Sequence, residues 1–65
     1  MKIRQENEQE AIIILTKEEL EILHATLNEI CNGIAMFEFE TRIGAQRSAV
    51  IDLLQSTTYA LDDWK

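Results

Sequence analysis

A chain of 65 residues with a net charge of −6, a single cysteine and no proline is one small domain. Folding at this size hides only about 60% of the surface that the unfolded chain exposes, so stability calls for a disulfide, a metal or a partner. Cys31 alone cannot form an internal disulfide, and the acidic balance argues against nonspecific binding to nucleic acid or to an anionic membrane.

Residues 1–10, MKIRQENEQE, alternate weakly, with Met1 and Ile3 on one side and Lys2 and Arg4 on the other. They are too polar for a secretory apolar region. Together with the single thiol this gives the expectation of a reducing cytoplasm. Ala11–Leu15, AIIIL, is short and rich in β-branched residues, which is the pattern of a strand. It is far too short to span a bilayer. Asn7, Glu8 and Gln9 suit a hairpin connection, although no Asn-Gly or Asp-Gly specifies its turn. Alternation sends Ile12 and Ile14 to one face and Ala11, Ile13 and Leu15 to the other. Helices on one side of such a ribbon leave the second apolar face wet, and strands apolar on both faces usually lie inside a larger sheet or an interface. The expectation is therefore a homodimer, with Ile12 and Ile14 in its interface.

Thr16–Asn32 contains the strongest pattern in the chain. Leu20, Leu23, Leu27, Ile30 and Ile34 recur at steps of three and four, which specifies one apolar stripe on one helix. Thr16 and Glu19 form a T-x-x-E capping box. Glu18, Glu19 and Glu21 also sit near the positive end of the helix dipole. Asn32 and Gly33 are the expected stop, with Gly33 in the left-handed conformation.

Residues 34–43, IAMFEFETRI, fit two readings. A period of two sets Phe37, Phe39, Thr41 and Ile43 against Glu38, Glu40 and Arg42, as in a strand. Helical spacing groups Met36, Phe39 or Glu40, and Ile43, and makes Glu38–Arg42 an i,i+4 pair worth about 0.3–0.5 kcal/mol. We favour the helix, because Gly44 then falls at its C-terminus. A last helix runs from Gln46 to about Leu61, with Val50, Leu53, Leu54, Thr57, Ala60, Leu61 and Trp64 within one arc. Tyr59 lies on the opposite face among Asp52, Asp62 and Asp63, and is the third candidate interface residue. Asp62 and Asp63 oppose the dipole, so fraying is expected beyond Ala60.

The capped Leu-rich helix, the segment EFETRIG (Glu38 to Gly44) and the helix after it resemble a set of short uncharacterised bacterial proteins, over most of residues 11–61. The resemblance implies no activity.

Chemical motifs are scarce. His24 and Cys31 are seven residues apart on one helix face, about 10 Å of rise, too far for a nucleophile–base pair. No second His or Cys completes a zinc set. Cys31 reads as a small buried apolar residue and His24 as a residue at the edge of the stripe. Glu38, Glu40 and Arg42 read as a solvated charged edge, because acid–base work needs carboxylates converging on a cleft. Neither an enzyme nor a cofactor, a metal or a small-molecule substrate is expected.

The fold class expected is α+β: an N-terminal two-stranded β-ribbon followed by three helices (long, short, long) in a single domain, residues 1–65. Its core would hold Ile13, Leu15, Leu20, Leu23, Leu27, Ile30, Ile34, Phe37 or Phe39, Ile43, Val50, Leu53, Leu54 and Leu61. Leu27→Ala should cost about 2–5 kcal/mol. The functional expectation is a cytoplasmic, homodimeric protein-interaction module whose acidic surface faces a basic partner. The alternative is a DNA-binding regulator using a helix-turn-helix-like segment, with Arg42, Gln46, Arg47 and Ser48 at the duplex. Against it, the helix offers Asp52, Asp62 and Asp63 where phosphate contacts call for lysines.

Overall fold

The computed structural model describes all 65 residues, and the expected α+β order is present. Strand β1 (Lys2–Gln5) pairs antiparallel with β2 (Ala11–Ile14), in the register Lys2–Ile14, Ile3–Ile13, Arg4–Ile12 and Gln5–Ala11. Asn7 makes the turn. Its side-chain oxygen accepts from the amides of Gln9 (2.8 Å) and Glu10 (2.9 Å), the local bonding by which an Asx side chain stands in for a backbone turn. That bonding supplies what an Asn-Gly pair would have supplied.

Helix α1 (Lys17–Asn28) starts with both halves of the capping box. The Glu19 amide donates to Thr16 Oγ1 (3.1 Å), and the Thr16 amide donates to Glu19 Oε1 (2.9 Å). Glu19 Oε2 also takes the Met1 ammonium at 2.6 Å, which ties the start of β1 to the start of α1. The end of this helix differs from expectation. Glu29–Gly33 forms a wide π turn, closed by the Ile34 amide on the Glu29 carbonyl (3.0 Å). Ile34 then leaves in an extended conformation with φ −125°, and Gly33 does not adopt positive φ. The apolar stripe therefore ends at Cys31, which is buried, while Ile34 is exposed.

The segment at residues 35–43 divides. Only Phe39–Ile43 is helical (α2), entered through Glu38 at φ 55° and left through Gly44 at φ 82°. Gly44 occupies the left-handed position expected of it, since a residue without a Cβ enters that region at no steric cost. Glu38 lies outside the helix, so the expected Glu38–Arg42 pair does not form; the ion pairs are Met1–Glu19 and Arg4–Glu6. Helix α3 (Arg47–Asp62) begins at Gln46 and runs past the point where fraying was expected. Its last turn is closed by the Asp63 amide on the Tyr59 carbonyl (3.0 Å) and the Trp64 amide on Leu61 (3.2 Å).

Helix α1 packs on α3, and the π turn packs on both. The core sits between them as Cys31, Phe39, Val50 and Leu54, flanked by Leu27, Ile30, Met36, Ala45 and Ile51. Leu20 is buried apart from this cluster. Phe39 is the buried aromatic of the pair and Phe37 stands 80% exposed. The expected core was too broad: Ile13, Leu23, Ile34, Ile43 and Leu53 are exposed. The ribbon does not lie over the helices, so Ile13 and Leu23 lack the layer that would cover them.

Candidate interaction surface

The register assigns each side chain of the ribbon to a face. Lys2, Arg4, Ile12 and Ile14 share one face; Ile3, Gln5, Ala11 and Ile13 share the other. On the first face two isoleucines stand opposite two cations, Ile14 across from Lys2 and Ile12 across from Arg4. Both isoleucines are exposed, as is Tyr59 on α3. Tyr59 belongs to a different element and does not line either cleft at the ribbon.

The second face was expected to lie beneath α1, and it is open instead. Met1, Ile3, Ile13 and Leu15 form one wall of a groove of about 610 Å³, with Ile22 and Leu23 of α1 as the other and Glu19 and Thr26 beside them. Ile3 is 62% exposed, Ile13 53% and Ile22 60%. In the sequence Ile22 lies off the α1 stripe, with nothing to assign it a neighbour. The missing signal was the angle between ribbon and helix, which decides whether Ile22 meets Ile3 and Ile13 or stands alone. Together these side chains form one continuous exposed apolar surface, unlike singly exposed residues, which need no explanation.

The polar groups with chemical potential are engaged within the fold. His24 Nδ1 lies 3.0 Å from Thr57 Oγ1 and 3.5 Å from Thr58 Oγ1. Both hydroxyls also lie within hydrogen-bond distance of the Leu54 carbonyl, and the His24–Thr57 contact links α1 to α3. Arg47 donates to the Cys31 carbonyl (2.7 Å), and its guanidinium lies 4.5 Å from the centre of the Phe39 ring. It satisfies a carbonyl freed by the π turn and covers an aromatic of the core. No three His, Cys, Asp or Glu side chains converge as metal ligands. No helix is long and apolar enough to cross a membrane.

One carboxylate is perturbed. Glu19 is held below the usual carboxylate range, chiefly by the Met1 ammonium and then by the Thr16 amide. Both partners belong to the junction between ribbon and helix, so the group braces that junction. Comparison with known proteins finds no matching family model, curated protein or solved structure.

Proposed function

We propose that this chain is a small homodimeric protein-interaction module that self-associates through its N-terminal ribbon and presents an acidic surface to a basic protein partner. The observation that carries the reading is the ribbon itself, exposed at every residue with Ile3, Ile12, Ile13 and Ile14 open to solvent, in a chain where only five of 65 residues are buried. A domain this short gains most from association, because surface shared with a second chain adds the burial that its own core lacks. The net charge of −6 supports a basic partner through long-range attraction that salt would weaken.

The reading is of a binding protein, not an enzyme, because His24 and Arg47 are both used in holding helices together. The DNA-binding alternative has the α2–Gly44–α3 order in its favour. It is weakened by Arg47, whose guanidinium is turned to Cys31 and Phe39, and by the acidic residues of α3.

Sedimentation velocity over a wide concentration range tests self-association. A dimer at micromolar concentration is the expected result, and a monomer throughout would overturn the reading. An affinity pull-down at low and moderate salt tests the second part. Capture should fall as salt rises, and retention indifferent to salt rejects the basic partner. A shift assay at about 50 mM salt tests the alternative, since phosphate contacts are strongest at low ionic strength.

A further inference from the structure

We propose that two copies of this chain join edge to edge through β2, antiparallel, with Ile13 on the twofold axis, forming a sheet ordered β1-β2-β2-β1. The inference rests on the self-association proposed above and adds its edge and register.

Hydrogen-bond parity identifies the free groups. The Glu6 amide donates to the Glu10 carbonyl at 2.9 Å, so Glu6–Glu10 is a bonded pair of the hairpin. Bonded and non-bonded pairs alternate along an antiparallel ladder. Counting back through the register makes Arg4–Ile12 and Lys2–Ile14 bonded pairs. The amides and carbonyls of Ala11 and Ile13 then point away from β1, and those of Leu15 continue the series. The sheet has two strands, and no other backbone bond reaches these groups.

The two edges of the ribbon differ in charge. On β1 the outward groups belong to Ile3 and Gln5. Pairing β1 with its own copy about Ile3 sets Lys2 opposite Arg4, and pairing one step along sets Arg4 opposite Arg4. Like charges directly opposite destabilise a ladder, and lysine on an edge is a known way of blocking such pairing. The β2 edge from Ala11 to Leu15 has no charge and no proline. It is the unprotected edge.

Parity also limits the register, because outward groups must meet outward groups. Centred on Ile13, the pairing sets Ile12 opposite Ile14 and Ala11 opposite Leu15 of the second copy. Every pair is apolar, and β-branched pairs of this kind stabilise a sheet. A centre on Ile12 sets Glu10 opposite Ile14, and a centre on Ile14 sets Ile12 opposite Thr16, so each mismatches polar with apolar. The favoured register also brings Glu10 alongside Thr16 and towards Lys17 of the second copy. The acidic turn of one chain thus meets a cation at the positive end of the other chain's α1. One face of the joined sheet then carries Ile12 and Ile14 twice over, and the other carries Ile13 side by side with its copy.

Amide hydrogen exchange, followed residue by residue on the intact chain, tests the edge directly. At concentrations where sedimentation shows a dimer, the Ile13 amide should exchange at least about tenfold more slowly than the Ile3 amide, its counterpart on the other edge, and dilution should remove the difference. A dimer in which Ile13 exchanges as fast as Ile3 overturns the edge assignment and leaves self-association standing. A monomer at every concentration removes both. Ile13→Cys gives a second readout, because directly opposite bonded residues lie about 5.5 Å apart, within disulfide range. Under mild oxidation it should form a covalent dimer at least about tenfold faster than Ile3→Cys, and equal rates would reject the register.

Discussion

The helical part and the ribbon of this chain are held together by different forces. The π turn, α2 and α3 bring together the buried residues Cys31, Phe39, Val50 and Leu54, with Leu27 of α1 packed against them. The His24–Thr57 and Arg47–Cys31 bonds hold these elements in place. Every residue of β1 and β2 is exposed, and the ribbon is held by its ladder, by the Asn7 turn and by the Met1–Glu19 contact. An isolated hairpin of this length is marginal in water. What burial the chain has lies in the helical part, whereas the ribbon has none and depends on its ladder and its contacts at the ends.

Substitutions test this contrast, from the core outward. Phe39→Ala should be the most damaging, at about 3–5 kcal/mol, since it empties the core and removes the ring beneath Arg47. That loss rivals the whole stability of a small domain, so urea unfolding should lose its cooperative transition. Leu54→Ala should cost about 2–5 kcal/mol and exceed Leu27→Ala, because Leu54 is buried and Leu27 only half-buried. The reverse order would show that the core is centred on α1 and not on α3.

Arg47→Gln should cost about 1–3 kcal/mol by orphaning the Cys31 carbonyl and losing the contact with Phe39. An unchanged urea midpoint would show that the π turn closes without it. Thr16→Ala should cost about 1 kcal/mol as a lost N-cap, read from the same midpoint.

The smallest effect expected concerns pH. The folded carboxyl of Glu19 is depressed, first by the Met1 ammonium, so its contribution is present above the ordinary carboxylate range. That contribution is lost as pH falls through the folded value. A carboxyl titration by NMR should place Glu19 below the usual carboxylate range, and acetylating the Met1 amine should move it upward. No movement on acetylation would show that the junction is braced by the cap alone.

Signals confined to a few neighbouring residues were legible in the sequence. The T-x-x-E box, the Gly44 stop and the short apolar strand are local, and each stands where its own chemistry put it. The break at residues 35–38 was not legible, because Phe37 and Phe39 are equally apolar and only packing against Arg47 and Val50 selects Phe39. Gly33 was misread for a similar reason. A Gly after a helical pattern commonly takes positive φ, but here the wide turn ends in extended Ile34, and a side chain at Gly33 would meet the Glu29 carboxylate.

By itself the sequence determined the elements, their order and the two-faced character of Ala11–Leu15, since hydrophobic period and capping depend on residues within a turn of one another. Which isoleucines the helices cover was decided only in three dimensions. The turn of the chain after Leu15 sets the angle between β2 and α1, and that angle leaves Ile3, Ile13 and Ile22 facing one open groove.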